Sequence, residues 1–383
     1  MQARLPNFVR YFFRRPTLVA IVSIWLGYAT IASFVIGVDP YDVYPWGQRV
    51  SIPKNFAPFE MIRVVRVAAR DPQTELVLIG TSPTTIFRQA DLAKAYPGYK
   101  SPWNVSYHGS AGTDRARTID QFVQYSSAKR YLITLDYFYA KPSSEVRDSY
   151  PDFQYDETPL NDLRMVNSVA IKAAFRALRS GSPFPDAVRT ENQENGFREG
   201  EKRRYQTSEK MRRLAGWIDQ YRPTIATPSS LRCSQMPLLQ ELLTQTRVLT
   251  KKGARVDILI PPYSLGLYYE WAGDPLLHRG GGDTLLMDQI AMRRCAVLGL
   301  AHTPGAHVYS MDLDFALASD LGNFRDPAHI ESQTGLRRFV SMANYPELEL
   351  TPENIDSYAR QVRKAVQNYK LKNSALPFNS RRD

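Results

Sequence analysis

Between Thr17 and Val38 the chain runs for 22 residues (TLVAIVSIWLGYATIASFVIGV) without one charged side chain. As a helix rising about 1.5 Å per residue, that stretch reaches across a hydrocarbon layer of roughly 30 Å. Core helices of water-soluble domains rarely run so long without a charge, so the pattern predicts one transmembrane helix. It is longer than the roughly 7 to 15 apolar residues of a secretory signal, and no small-x-small site follows it, so an uncleaved anchor is expected. Residues 1–16 hold Arg4, Arg10, Arg14 and Arg15 and no acid, whereas the far flank mixes Asp39, Asp42, Arg49 and Lys54. The positive-inside rule therefore places the N-terminus in the cytoplasm and the rest of the chain across the membrane, which in a bacterium means the inner membrane with a periplasmic or extracellular body.

That body is large. The chain has 383 residues, 43% hydrophobic and 23% charged, which excludes a disordered, collagen-like or disulfide-stapled protein. The net charge of +11 would ordinarily suggest nucleic acid. Four of the cations stand before the helix, however, and the others would be exported with no stacking motif beside them, so nucleic acid is not an expected partner. Cys233 and Cys295 are the two cysteines. In an oxidising compartment they pair or remain two buried thiols, and their spacing does not choose.

The organisation reads as a cytoplasmic N-terminus (1–16), the anchor (17–38), a linker (39–73) containing a short helical pattern at Met61 to Ala69, a domain over 74–345, and a C-terminal helix and tail (346–383). Within the domain, Glu75 to Gly80 (ELVLIG), Tyr131 to Leu135 (YLITL) and Arg255 to Ile260 (RVDILI) are compact apolar runs ending in turns, the pattern of buried parallel strands. A helical stretch from Met236 to Lys252 stops at Gly253 just before the third of these. Alternating strand and helix predicts an α/β domain with a mainly parallel sheet, whose ligands bind beyond the carboxyl ends of its strands. A polar segment around 180–215, including the basic run Glu201 to Arg204, reads as a surface insertion. Thr351-Pro352-Glu353 reads as a helix start, followed by Ile355, Tyr358, Val362, Val366 and Tyr369 at helical spacing.

Two segments carry chemistry. Gly80-Thr81-Ser82-Pro83-Thr84 follows the first strand, where a turn leading into a helix would expose the Ser82 hydroxyl beside backbone N–H groups. The P-loop and the Gly-x-Ser-x-Gly elbow both fail there, since no Gly-Lys-Ser or Gly-Lys-Thr follows and Thr84 stands where the elbow needs glycine. Near the C-terminus, Phe324-Arg325-Asp326-Pro327-Ala328-His329 sets an acid three residues before a histidine in a loop. A serine nucleophile needs such an imidazole, held by a carboxylate on its other nitrogen. His108, His278, His302 and His307 read as loop or surface residues without a comparable companion. No group of His, Cys, Asp and Glu has metal-ligand spacing, and no cofactor is implied.

Taken in order, these residues resemble the SGNH/GDSL hydrolases, in their membrane-anchored branch associated with alginate O-acetylation and teichoic-acid D-alanylation. The resemblance covers residues 74–345 and rests on Gly80-Thr81-Ser82, on Asn104-Val105-Ser106-Tyr107-His108-Gly109 with Gly112 beyond, on Leu135-Asp136-Tyr137-Phe138, on Ile260-Pro261-Pro262-Tyr263, and on Asp326-Pro327-Ala328-His329. It implies a flavodoxin-like sheet flanked by helices and a Ser82 nucleophile, with His329 as general base and Asp326 orienting its ring. The implied oxyanion donors are the backbone N–H groups of Ser82 and Gly109, with Gly112 as the alternative to Gly109. The implied activity is acyl esterase or O-acyltransferase on a cell-surface polysaccharide or related polymer, with a multi-pass membrane acyltransferase as partner. A non-catalytic scaffold or glycan-binding subunit is the other reading.

The resemblance departs at one point. The family's Gly-x-Asn-Asp block supplies an asparagine amide to the oxyanion, whereas here the strand ends in Asp136-Tyr137, and an ionised carboxylate cannot donate. Asn104 is then the side-chain amide that could serve, if the fold brings it close.

Overall fold

The computed structural model describes residues 16–38, 61–107, 112–140, 168–180, 231–273 and 285–369. The chain forms two compact units, one from Met1–Pro53 with Pro151–Arg189, the other from Lys54–Tyr150 with Thr190–Asp383. In chain order the helices are α1 (Pro16–Val38), α2 (Met61–Arg70), α3 (Gln89–Ala95), α4 (Thr113–Tyr125), α5 (Ser168–Ser180), α6 (Pro237–Lys251), α7 (Leu265–Gly273), α8 (Leu285–Leu300), α9 (Phe315–Ser319), α10 (Gln333–Val340) and α11 (Ile355–Gln367). The strands are β1 (Leu76–Ile79), β2 (Trp103–Asn104), β3 (Arg130–Thr134), β4 (Arg255–Ile260), β5 (Ala306–Ser310), β6 (Phe324–Asp326), β7 (His329–Ile330) and β8 (Glu349–Leu350).

In the first unit, the apolar run forms the 23-residue helix α1, long and apolar enough to cross a membrane. The Thr30 hydroxyl within it donates back to the Leu26 carbonyl at 2.8 Å, so that polar group is satisfied within the helix. Helix α5 packs on α1, with Phe34 and Phe175 rings 5.1 Å apart between centroids.

In the second unit, one sheet has the order β2-β1-β3-β4-β5-β8. The first five strands are parallel and β8 is antiparallel to β5. Every residue of β1 and β3 is buried, as is β4 from Val256 onward, which explains why these strands are largely apolar runs. The one acid among them, Asp257, accepts from Arg130 Nε at 2.6 Å and Arg255 Nε at 2.9 Å, so the buried charge is paired. From β1 the chain builds β2 on one side and then returns past β1 to build β3 on the other. That reversal makes the carboxyl ends of β1 and β3 the crevice where a sheet of this kind receives ligands.

Several sequence expectations shift. The short helix expected at Met61 to Ala69, within the segment read as linker (39–73), forms as α2 (Met61–Arg70), and its Val64, Val65, Ala68 and Ala69 are buried. The last helix starts at Ile355 rather than at Thr351-Pro352-Glu353. Asn354 precedes it, its Oδ1 accepting from Thr351 N at 2.8 Å, so the Thr-Pro-Glu segment is a turn closed from within. Its predicted apolar positions, Ile355, Tyr358, Val362 and Val366, are all buried, as is Tyr369 beyond its end. The linker up to residue 60, the insertion from residue 181 with its Glu201 to Arg204 run, and the tail from residue 370 lie outside the described residues. Cys233 and Cys295 form a disulfide that ties the turn before α6 to α8.

Candidate active site

Gly80 leaves β1 where no side chain fits. A Cβ there would collide with Thr84 Oγ1 and stand 3.0 Å from Ser106 Oγ and 3.1 Å from Thr134 Cγ2. The turn that follows is tied to itself and to its neighbour strand. Thr84 N donates to the Thr81 carbonyl at 2.9 Å, Thr84 Oγ1 lies 2.8 Å from Ser106 Oγ, and Thr85 Oγ1 donates to the Ser82 carbonyl at 3.1 Å. These threonine bonds offer the backbone an alternative to helix, which is why α3 begins only at Gln89 and not directly after Ser82 as the sequence suggested. Ser82 is thus carried by a braced turn, with its side chain partly exposed.

Asp326 and His329 sit on a two-stranded hairpin rather than in an irregular loop, β6 and β7 pairing them directly. Asp326 Oδ1 also accepts from Ala328 N at 3.0 Å, closing the tight turn between them, and Ser264 N donates to the Pro327 carbonyl at 3.0 Å, fixing the hairpin tip to the loop after β4. The outcome is a continuous chain of contacts. His329 Nδ1 lies 2.7 and 2.8 Å from the Asp326 oxygens, and His329 Nε2 lies 2.8 Å from Ser82 Oγ. A carboxylate only accepts, so Nδ1 carries the proton and Nε2 is free to take one from the serine. Ser82 and His329, 247 positions apart, meet because β1 and the hairpin both deliver their loops to the carboxyl edge of the sheet.

The expected oxyanion residues divide. Gly112 stands immediately before α4 with φ of 64°, a backbone setting that favours glycine. Gly109, like His108 and His278, lies outside the described residues. Asn104 does not meet its expectation in this geometry. On β2, fully buried, it gives both amide protons to the carbonyls of Thr84 and Phe87, each at 2.8 Å, and its Oδ1 accepts from Ser106 N at 3.0 Å. Its amide holds the nucleophile's turn. His307 also departs from its reading as a loop or surface residue without a companion. It lies on β5, with Nδ1 2.7 Å from Glu349 Oε1 on β8.

Asp136 proves to be the centre of a network that sequence reading missed. Its Oδ2 receives Arg115 Nη1 at 2.7 Å and Thr134 Oγ1 at 2.6 Å, and its Oδ1 receives Thr81 Oγ1 at 2.8 Å and the Tyr263 hydroxyl at 3.4 Å. The Arg115 guanidinium is entirely buried and lies over the Phe138 ring at 5.0 Å. Burial, the largest influence, would weaken its charge, but the Asp136 carboxylate and the Tyr139 phenol together more than offset this and raise Arg115 above its ordinary value. Burial, reinforced by Asp136, pushes the Tyr263 phenol well above the tyrosine range, keeping it a donor. The acid next to the site is therefore neutralised as part of a pair. The available signal was an acid closing an apolar strand, which demands a buried cation somewhere in the chain.

A groove of about 660 Å³ runs between α3 and α10, the elements that follow Ser82 and His329 in the chain, and Arg88, Lys94 and Arg337 line it with one acid, Asp91. Among the described residues, no group of three or more His, Cys, Asp and Glu side chains could hold a metal ion. Comparison with known proteins finds no family model and no curated protein that matches the chain.

Proposed function

We propose that this protein is a membrane-tethered, exported serine esterase or O-acyltransferase of the SGNH/GDSL kind, acting on a cell-surface polysaccharide or related polymer. The observation that carries the reading is the run of contacts from Asp326 through His329 to Ser82 Oγ, each between 2.7 and 2.8 Å. Its position at the carboxyl edge of a 2-1-3-4-5 parallel order adds support, because that is where such sheets place their ligands.

In the proposed reaction His329 Nε2 takes the Ser82 proton as Oγ bonds to the acyl carbon. Asp326 holds Nδ1–H and stabilises the imidazolium. Backbone N–H groups of Ser82 and of Gly109 or Gly112 receive the developing oxyanion. Collapse breaks the bond to the leaving alcohol, which takes the proton from His329, and leaves an acyl-serine. Water or an acceptor hydroxyl then attacks the acyl carbon, giving its proton to His329, and Ser82 is released as the proton returns to it. The Arg115–Asp136 pair keeps an uncompensated negative charge away from the oxyanion.

Two further observations favour export. Apolar side chains of α1 such as Ile24, 71% exposed, have no place in water, and a disulfide persists chiefly in oxidising compartments. With the arginines before it, α1 would anchor the protein in the inner membrane of a bacterium with its catalytic unit in the periplasm or outside. There a multi-pass membrane acyltransferase would hand on acyl groups. A fluorophosphonate probe on the full chain in detergent tests the reading. Labelling that vanishes in Ser82→Ala supports it. A folded protein that never labels would leave a non-catalytic, glycan-binding subunit instead.

A further inference from the structure

The reading of α1 as a membrane span leaves α5 in a position that the catalytic role does not use. The buried positions of α1 are Ala32, Val35 and Val38, all in its last two turns, and α5 packs on this helix. At about 1.5 Å per residue that covered stretch is roughly the final 10 Å of a helix about 34 Å long, the part of a span that straddles the edge of the hydrocarbon. A helix packed there lies at the depth where amphipathic helices settle, about 5 to 10 Å into the boundary between headgroups and acyl chains.

The surface of α5 is ordered to match. Turning about 100° per residue, seven of its described side chains fall into three adjoining arcs. Ala170 and Ala174 form the first arc and are fully buried, small enough for a close helix–helix approach. Ile171, Phe175 and Leu178 form the second; Phe175 packs on Phe34 of α1, yet it and Leu178 remain 51% and 50% exposed. Lys172 and Arg179 form the third, both exposed. An apolar arc placed between a helix contact and a cationic arc fits a helix that meets the span on one side, acyl chains on the next and headgroup phosphates on the third.

We propose that α5 is an interfacial membrane helix. It would lie in the leaflet from which the catalytic unit emerges, with Phe175 and Leu178 among acyl chains and Lys172 and Arg179 at anionic headgroups. This inference rests on α1 spanning the bilayer but not on the activity assigned to Ser82. It gives the chain a second membrane contact 130 residues after the anchor.

Site-directed nitroxide labelling tests it in the full chain, reconstituted in phosphatidylethanolamine and phosphatidylglycerol vesicles. The two native cysteines are paired, so a single introduced cysteine takes the label. Labels at Phe175→Cys and Leu178→Cys should show an oxygen-to-nickel-chelate collision ratio at least about threefold that of Lys172→Cys. A label at Ile24→Cys, mid-helix in α1, should be lipid-exposed. Equal ratios at 172, 175 and 178 with Ile24→Cys still in lipid would overturn the inference while leaving the anchor intact. Water-like ratios at Ile24→Cys would show that α1 does not span, and the inference would fall with it.

Discussion

Arg115 Nη1 and Asp136 Oδ2 meet at 2.7 Å with both side chains shut away from solvent, and Asp136 reaches from there to the hydroxyl of Thr81, the residue beside Ser82. Removing one member leaves the other as an uncompensated buried charge, which costs about 3 to 5 kcal/mol. Arg115→Met and Asp136→Asn should each lower unfolding stability by that order. The double variant should lose clearly less than the two losses added together. Chemical denaturation of the four proteins checks this, and additive losses would mean that the two groups do not depend on each other.

Gly80→Ala probes the turn by steric force alone. The added methyl would collide with Thr84 Oγ1 and press on Ser106 and Thr134, so the braced turn must shift. Overpacking of this kind costs about 1 to 3 kcal/mol. Because the same turn sets Ser82 against His329, fluorophosphonate labelling should slow more than 10-fold, about the effect of small misplacements at reacting groups. Unchanged labelling would show that the turn does not position the serine.

How much of this was legible in the chain differs by element. β1, β3 and β4 announce themselves because strands buried on both faces must be apolar wherever a polar group has no partner, and α6 shows through its clean stop at Gly253. β2 and β8 are two residues each, too short for a period. β5 begins with half-exposed Ala306 and His307, which break the apolar run. α8 is buried on nearly all sides yet contains Asp288 and Arg293, so it lacks a polar face to reveal it. Arg293 is tolerated there because Asp312, Tyr268 and Tyr358 surround it, partners drawn from distant segments. Ser82, Asp326 and His329 could be picked out by residue type and context. The Arg115–Asp136 pair and the cysteine pairing could not, since both are set by how helices settle against the sheet.

The disulfide closes a loop across a sequence separation of 62. In the chain-entropy account, such a link stabilises the folded state by about 4 kcal/mol. Cys233→Ser with Cys295→Ser should therefore lose about that much stability, and a reductant should do the same to the native chain. Thermal unfolding with and without reductant measures it. A chain indifferent to reduction would show that the bridge does not form.

Alkaline pH should unfold the protein. Burial pushes Tyr139 up to about 12 and holds Tyr263 and Tyr268 well above the ordinary value. In the unfolded chain these phenols ionise near about 10. Below that pH both states keep the protons and the stability is fully present. Above it the unfolded chain releases protons that the folded chain retains, so stability falls as pH rises towards the folded-state values. Phenolate absorbance should therefore show a fraction of tyrosines that titrates together with loss of structure. A single smooth titration near 10 with the fold intact would contradict the buried network.

The most direct test of the account is trapping of the acyl-enzyme. After brief exposure of the full chain to p-nitrophenyl acetate and an acid quench, peptide mass spectrometry should find the acetyl group on Ser82. The adduct should be absent in Ser82→Ala, and in His329→Gln it should form on the order of 10² to 10⁴ times more slowly. Acetylation spread over other nucleophiles, or formed on Ser82 at the same rate without His329, would contradict the claim that these residues make one catalytic unit.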